Sequence, residues 1–242
     1  MKEINSTTNF RVLQWKKLQD KNKRNETRQF MVEGYHLVME AYKAGQLVEV
    51  ITTENRCDFD VPAYKVRYDV LKELSSMATP NKIIGICAQK EAGPYGNNVL
   101  LVDKIHHPGN LGTIIRSAVA FNVDTIVINE SVDVYNQKVV QATQGMLFHI
   151  NIIKGSLQQF IPELKGKGYQ IIGTDVRDGV ELEDFVPARK HALIVGNEGE
   201  GLDDETLNMC DAKVNIAMNP NCESLNVGVA TGIILYKLGN MN

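Results

Sequence analysis

From residue 99 onward the sequence alternates between short apolar segments and segments with helical spacing. Apolar segments at 99–103, 124–129 and 191–196 are each followed by a helical pattern or by a glycine-rich loop. The segment 191–196 (HALIVG) is apolar at consecutive positions, as is typical of a parallel strand that is covered on both faces. Such alternation predicts a parallel sheet with helices on both sides, so the second half of the chain is predicted to be an α/β domain.

A glycine- and proline-containing segment, KEAGPYGNN at 90–98, predicts a linker. The chain has 242 residues, which is enough for two domains, and we assign residues 1–92 to the first and 93–242 to the second. The first domain is predicted to be a small α/β unit with these elements: helices at 10–22, 34–43 and 68–77, and strands at 47–53 and 83–88.

Positive charge is concentrated near the N-terminus. The chain carries a net charge of -3, whereas residues 1–92 carry about +3. Segment 11–28 contains most of this excess. A basic run of this kind is usually a solvated helix face, and it is also what contact with nucleic-acid phosphates requires. The candidates for such contact are Lys16, Lys17, Lys23, Arg24 and Arg28.

The four cysteines include no C-x-x-C pair and are expected to be reduced thiols. Cys210 and Cys222 could meet His106 and His107 to bind a metal, but zinc sites usually place two ligands on one tight turn, so no metal site is predicted. No apolar run is long enough to cross a bilayer, and the N-terminus does not resemble an export signal. We therefore expect a cytoplasmic protein without a membrane partner.

The first segment that suggests chemistry is HHPGNLGTIIRSA at 106–118. A turn containing proline and glycine leads from a strand into a helix, whose first backbone N–H groups point at whatever lies there. Asn110 and Arg116 lie just under two helical turns apart and could both face the crevice at the strand ends. A turn followed by a surface arginine is the alternative.

The second segment is LIVGNEGEGL at 193–202, a buried strand followed by three glycines. Glycines allow a backbone to approach a ligand closely. The loop also contains Glu198 and Glu200, which would repel a pyrophosphate, so it is not a dinucleotide-binding loop. A cationic ligand without phosphate would be compatible with these carboxylates.

The third segment, VNIAMNPNCESLNVGVATGIILYKL at 214–238, is predicted to be a strand, a loop and a buried helix. Ser224 is a natural N-cap for a helix over 224–238. Gly228 and Gly232 would let another helix pack closely, either within the subunit or across a dimer interface.

In this order and at this spacing, the three segments resemble the SpoU (TrmH) family of RNA ribose 2'-O-methyltransferases, within the SPOUT superfamily. The matching stretches are PGNLGTIIRSA, LIVGNEGEGL and the one that ends in SLNVGVA. The N-terminal RNETRQFMVEGYHLVMEAYKAG also resembles the small substrate-binding domain of that family, which is similar to L30e-type RNA-binding proteins. The resemblance covers nearly the whole chain.

The resemblance implies a SPOUT-type α/β fold with a deep C-terminal trefoil knot, preceded by an L30e-like domain. Knots are nearly absent from other proteins. It also implies a homodimer and the methyl donor S-adenosylmethionine as cofactor. Carried over by position, the cofactor contacts fall at Thr174, Gly196, Glu198, Gly201, Ile216, Met218 and Leu225.

The resemblance further implies methylation of a ribose 2'-hydroxyl in structured RNA, with ribosomal RNA favoured over transfer RNA. The matching functional positions are Asn110, Arg116, Glu198, Ser224 and Asn226. The family proposal makes the arginine a base. A guanidinium keeps its proton in proteins, so we favour Arg116 as a clamp on a substrate phosphate that stabilises the developing alkoxide.

The sequence departs from the family pattern at His107, Ala217, Pro220 and Gly228, none of which carries an assigned chemical role. We therefore expect an active enzyme. Two alternatives stay open at this point, namely an RNA-binding protein that keeps the SPOUT fold without turnover, and a base methyltransferase of another SPOUT branch.

Overall fold

Strands and helices alternate along the computed structural model of the protein, which describes residues 1–197 and 199–239. The elements up to residue 91 are β1 (Lys2–Ile4), α1 (Phe10–Lys17), α2 (Lys21–Thr27), β2 (Gln29–Glu33), α3 (Tyr35–Lys43), β3 (Leu47–Thr52), β4 (Ala63–Val66), α4 (Tyr68–Leu74) and β5 (Ile83–Ala88). They are followed by β6 (Asn98–Asp103), α5 (Pro108–Ala120), β7 (Thr125–Asn129), α6 (Gln137–Thr143), β8 (Asn151–Lys154), α7 (Leu157–Gly166), β9 (Gln170–Thr174), β10 (Val180–Glu181), β11 (His191–Val195), α8 (Asp204–Asn208), β12 (Ala212–Asn215) and α9 (Val227–Gly239). No helix within the described ranges is long and apolar enough to cross a membrane.

Internal contacts divide the chain into two compact units. The first contains Met1–Glu91 and Asp133–His149, and the second contains Ala92–Val132 and the described residues from Ile150 onward. The segment with α6 thus belongs to the first unit, although the sequence analysis counted it with residues 93–242. Periodicity identifies α6 as a helix and gives no information about which sheet the helix covers.

The first unit is built on a mixed sheet with the strand order β1-β4-β3-β5-β2. Strand β5 is antiparallel to both β2 and β3, while β4 is parallel to β1 and β3. Helices α1 and α4 pack over one face, where Trp15, Met31 and Leu71 belong to the buried core. The small α/β unit predicted from sequence is confirmed, with three further strands (β1, β2 and β4) that the sequence analysis missed.

The prediction of one helix over residues 10–22 is wrong. Helix α1 ends at Lys17, and α2 begins at Lys21 after a short turn. The carboxylate of Asp20 accepts hydrogen bonds from the backbone N–H groups of Asn22 and Lys23, at 2.8 and 3.2 Å. An aspartate in that role starts a new helix, which explains the interruption.

The second unit is built on a sheet of seven strands in the order β10-β12-β9-β11-β6-β7-β8, all parallel. All five residues of β11, His191–Val195, are buried, as predicted for a strand covered on both faces. The parallel α/β sheet expected from sequence is confirmed. The trefoil knot stays a prediction.

The strand order reverses direction next to β6. From β6 the chain adds β7 and β8 towards one edge of the sheet, and β9, β11 and β12 lie on the other side of β6. Ligands of open α/β sheets bind outside the carboxyl ends of the strands at such a switch point. The carboxyl edge of the sheet next to β6 is therefore the expected location of the site.

Candidate functional site

A cavity of about 390 Å³ lies at the carboxyl edge of the second sheet. Its walls are formed by the segments that follow β9, β11 and β12, together with the first turns of α9. Strand β9 pairs in parallel with both β11 and β12, so the carboxyl ends of all three strands meet there. The cavity thus occupies the position expected from the strand order.

The loop after β11 folds back on itself, and glycine is required at two of its positions. The backbones of Asn197 and Gly201 exchange two hydrogen bonds of 3.1 Å. A Cβ atom on Gly196 would lie 2.7 Å from the backbone nitrogen of Leu202 and closer still to the carbonyl oxygen of Gly201. Gly201 has a φ of +72°, which side chains rarely adopt. This wall of the cavity is therefore close-packed backbone.

Asn197 holds this loop in shape and was missed by the sequence analysis. Its Oδ1 accepts hydrogen bonds from the backbone N–H groups of Gly199 and Glu200, at 2.8 and 3.3 Å. Its Nδ2 donates to the backbone carbonyl of Lys104, at 3.1 Å. An asparagine among glycines commonly bonds its own turn, and that is the signal that could have identified it.

An ion pair between Asp203 and Lys104 joins the same loop to the end of β6. The Lys104 Nζ donates to Asp203 Oδ2 at 3.1 Å, and Asp203 also caps α8 through the backbone N–H of Thr206, at 2.8 Å. The hydrogen bonds from Thr206, with that from Lys104, lower the pKa of Asp203 to about 2. The same ion pair raises the pKa of Lys104. Lys104 is thus held through both its carbonyl and its ammonium group.

At the start of α9 the capping residue is Asn226, so the prediction that Ser224 caps this helix is wrong. The helix begins at Val227, and Asn226 Oδ1 accepts hydrogen bonds from the backbone N–H groups of Gly228 and Val229, at 3.0 and 3.3 Å. Asn226 Nδ2 donates to Asn110 Oδ1 at 2.9 Å. Ser224 is exposed and lines the cavity instead. The side-chain amide of Asn226 therefore caps α9 and also holds the start of α5 through its hydrogen bond to Asn110.

The positions predicted to contact the cofactor converge on this cavity. Those that line it are Thr174, Gly196, Gly201, Ile216, Met218 and Leu225. Glu198 lies outside the described residues. Asp175, Arg177, Glu200 and Glu223 also line the cavity and were not assigned to it from sequence. The loop after β9 carries no glycine-rich signature, so only the topology identifies it as a wall.

The predicted catalytic residues are only partly brought together. Asn110 and Asn226 are hydrogen-bonded to each other, and Ser224 lines the cavity. Arg116 is an exposed residue of α5 that does not line the cavity of its own chain. The described part of the chain offers no ion pair to its guanidinium. Arg116 is therefore available to a ligand outside the cavity.

Helices α5 and α9 pack closely where α9 carries glycine. A Cβ on Gly228 would lie 3.0 Å from the Thr113 methyl group, and one on Gly232 would lie 3.5 Å from the Ser117 hydroxyl. The two glycines thus serve packing within the subunit. The other departures in the third motif, Ala217 and Pro220, are exposed and do not line the cavity.

The structure gives the basic candidates near the N-terminus different surroundings. Arg24 is 3% exposed, and its guanidinium contacts Asp133 at 2.7 and 2.9 Å and the carbonyls of Leu18 and Gln19. A buried guanidinium held in this way is not available to a phosphate, so Arg24 is a structural residue. Of the rest, Lys16 pairs with Glu73 and Lys23 with Glu26, whereas Lys17 and Arg28 are exposed without an ion pair among the described residues.

The residues considered for a metal site do not form one. Over residues 1–197 and 199–239, no group of three or more His, Cys, Asp or Glu side chains could hold a metal ion. Cys210 is half-buried, and burial raises the pKa of its thiol to about 11. Cys222 is exposed.

Comparison with known families agrees with this geometry. Residues 97–236 match the family described as the SpoU rRNA Methylase family, and residues 9–85 match the MRM3-like substrate binding domain. The chain belongs to the SpoU rRNA methylase family. The resemblance stated from the three motifs is thereby confirmed.

Two similar proteins cover nearly the whole length of this SpoU family member, and a third covers a shorter part. The chain is 35% identical to the 23S rRNA (guanosine(2553)-2'-O)-methyltransferase RlmP of Bacillus subtilis, over 98% of this chain and 99% of the relative. An AdoMet-bound rRNA methyltransferase from Sinorhizobium meliloti is 29% identical, with a TM-score of 0.87 over 98% of this chain and 96% of that one. The TrmH/SpoU tRNA modifying enzyme of A. aeolicus is also 29% identical, but it aligns with only 60% of this chain and 75% of its own, at a TM-score of 0.55.

Proposed function

We propose that this protein transfers a methyl group from S-adenosylmethionine to a ribose 2'-hydroxyl of ribosomal RNA. The observation that carries the proposal is the convergence of six predicted cofactor-contact positions, from Thr174 to Leu225, on one cavity at the carboxyl edge of the sheet. Ribosomal RNA is favoured because two relatives that align over 98% of this chain are named rRNA methyltransferases, whereas the tRNA modifying enzyme of A. aeolicus aligns with only 60% of it. A cytoplasmic location follows from this substrate.

The cavity fits a cofactor with this charge and size. Its volume of about 390 Å³ lies in the range of small-molecule sites. Asp175, Glu200 and Glu223 line it, and they suit a ligand that carries a sulfonium and an ammonium group. The backbones of Gly196, Gly201 and Leu202 supply a wall that a side chain on Gly196 would obstruct. When bound, S-adenosylmethionine supplies an electrophilic methyl group.

Three side chains outside the cavity suit the handling of an RNA ribose. A guanidinium keeps its proton in proteins, so Arg116 would act as a clamp on a substrate phosphate and would also stabilise negative charge that develops on the ribose oxygen. Asn110 and Asn226 hold the start of α5 against the start of α9 and would orient the ribose by hydrogen bonds. Positioning of this kind contributes roughly 7–11 kcal/mol to barrier lowering in well-oriented reactions.

The activity is tested with RNA and radiolabelled S-adenosylmethionine, followed by alkaline cleavage of the product. A 2'-O-methyl group removes the nucleophile for alkaline cleavage, so we expect one labelled position to resist hydrolysis in ribosomal RNA. Label at a position that still cleaves would indicate a base methyltransferase. Cofactor binding without label in any RNA would indicate a binding protein without turnover.

Replacement of Asn226 by aspartate separates its two roles. Asn226→Asp keeps an oxygen that caps α9 but removes the N–H donor to Asn110, so thermal stability should stay close to that of the wild type while turnover falls at least about tenfold. Asn226→Ala removes both the cap and the donor and should also cost about 0.5–2 kcal/mol of stability. Paired melting curves and single-turnover rates measure this. Wild-type turnover by Asn226→Asp would contradict the assigned role.

The exposed basic residues of the first unit are proposed to contact RNA phosphates. Replacement of Lys17 and Arg28 by glutamine should weaken RNA binding and reduce the slope of log affinity against log salt by about one for each phosphate that is no longer neutralised. Lys65→Gln is the control, because Lys65 is already paired with Glu3. An unchanged slope in the double variant would assign these side chains to an ordinary solvated surface.

We also propose that the protein forms a homodimer through α9. Val229, Ile233 and Tyr236 are 50%, 40% and 59% exposed and lie on one stripe of this helix. A charge on the stripe should prevent association, so Ile233→Asp is expected to sediment as a monomer. Val186→Asp, at a valine that is 69% exposed elsewhere in this unit, should leave a dimer intact. A wild-type chain that is monomeric at micromolar concentration would refute the dimer.

A further inference from the structure

Arg177 is the one cationic side chain among the described residues that line the cavity. The other ionisable side chains among the described lining residues are the carboxylates of Asp175, Glu200 and Glu223. Arg177 lies in the loop after β9, outside the three sequence motifs, and no role has been assigned to it above. A single cation in an acidic cavity indicates a position where the ligand carries negative charge.

The backbone around Arg177 is fixed in place. Asp175 is 7% exposed, and its Oδ1 accepts a hydrogen bond from the backbone N–H of Arg177 at 2.9 Å. A Cβ atom on Gly179 would lie 2.7 Å from the carbonyl carbon of Val214, so the loop lies directly against β12. The cavity wall at Arg177 is therefore preformed.

The guanidinium of Arg177, in contrast, is held loosely. Its Nε lies 3.4 Å from Asp175 Oδ1, and its terminal nitrogen Nη2 lies 3.5 Å from Asp204 Oδ1. The side chain is 68% exposed, and ion pairs of this length and exposure contribute little to stability. A carboxylate that forms two parallel hydrogen bonds with the guanidinium fork is a stronger partner and would replace these contacts.

We infer that Arg177 binds the α-carboxylate of the amino-acid part of S-adenosylmethionine. This inference rests on the proposed function. The cofactor carries two cationic groups, the sulfonium and the ammonium, and one anionic group, the carboxylate. The three cavity carboxylates match the cations, and Arg177 is the described lining residue that matches the anion. Arg177 would thereby give the site a preference for nucleosides that carry the amino-acid chain over those that lack it.

Two ligands that differ in this chain test the inference by calorimetry without turnover. S-adenosylhomocysteine has the amino-acid chain, and 5'-methylthioadenosine has the same adenosine and thioether but lacks it. We expect Arg177→Gln to weaken S-adenosylhomocysteine binding about tenfold, as removal of a charge-assisted hydrogen bond would. Affinity for 5'-methylthioadenosine should stay at the wild-type value. Lys213→Gln, which removes a cation paired with Asp178 but not lining the cavity, should leave both affinities unchanged.

The outcomes separate this inference from the proposed function. If the wild-type protein binds neither ligand, the methyl donor itself is wrong. If the wild-type protein binds both ligands and Arg177→Gln weakens neither, or weakens both equally, the carboxylate contact is refuted while the methyl donor stands. If Arg177→Gln lowers affinity for RNA alone, the residue binds a substrate phosphate and the inference is likewise overturned.

Discussion

Arg116→Ala should lower the rate of methyl transfer by about 10²–10³-fold, the usual cost of removing one group that stabilises developing negative charge. Affinity for S-adenosylhomocysteine should stay within about threefold, a difference below 1 kcal/mol, because Arg116 is an exposed residue of α5 that does not line the cavity. Single-turnover rates with RNA, together with calorimetric titration of the cofactor product, measure the two effects separately.

Two further variants sharpen this test. Arg116→Lys keeps the charge but loses the planar fork that binds a phosphate through two hydrogen bonds, so it should recover only part of the rate. Arg189→Ala removes an exposed arginine next to the amino end of β11, at the edge of the sheet opposite the cavity, and should keep the wild-type rate. An Arg116→Ala enzyme that loses the cofactor and keeps its rate at saturation would show that the arginine serves cofactor binding instead.

Gly196→Ala should reduce affinity for S-adenosylhomocysteine by about ten- to a hundredfold. The new methyl group would meet the backbone of Gly201 and Leu202, and backbone cannot move aside as a flexible side chain can. Overpacking of this kind typically costs about 1–3 kcal/mol, and here the strain falls on the hydrogen-bonded loop that forms the cavity wall. Calorimetry and melting curves of the variant measure the loss.

Gly199→Ala is the matched comparison within the same loop. Its Cβ would lie 3.5 Å from Asn197 Oδ1, which is ordinary contact, and the backbone N–H of Gly199 can still donate to that oxygen. We therefore expect a much smaller loss of affinity than in Gly196→Ala. Equal losses in the two variants would mean that glycine is needed throughout the loop for flexibility and not at Gly196 for space.

Most of the second unit could be predicted from the sequence because its strands are buried and carry a strong local signal. The predicted strand over 191–196 appears as β11, and the glycines after it lie where the cavity forms. Six predicted cofactor-contact positions line that cavity, five of them within the second and third motifs, and the family explains their order along the chain. These features depend on local pattern and on motif spacing, both of which a sequence contains.

Features that depend on long-range contact could not be predicted. Ser224 and Asn226 are both good capping residues, and in the structure Asn226, which also donates a hydrogen bond to the distant Asn110, is the one that caps α9. Arg24 belongs to a basic run, yet its partner Asp133 lies more than a hundred positions away in the sequence. The ion pair between Arg24 and Asp133 therefore cannot be predicted from the charges of the local segment alone.

The position of α6 has a consequence for how this protein can be divided. The chain passes between the two units three times, because Asp133–His149 belongs with Met1–Glu91. A fragment that ends at residue 91 would lack Asp133, the partner of buried Arg24, and would lack the rings of Tyr135 and Phe148 that cover Phe30. A single cut at residue 91 would thus leave the first unit incomplete, and a single cut after His149 would divide the second unit. Exchange of the first unit between relatives by a single recombination event would likewise divide one of the two units. The two units are therefore expected to be inherited together.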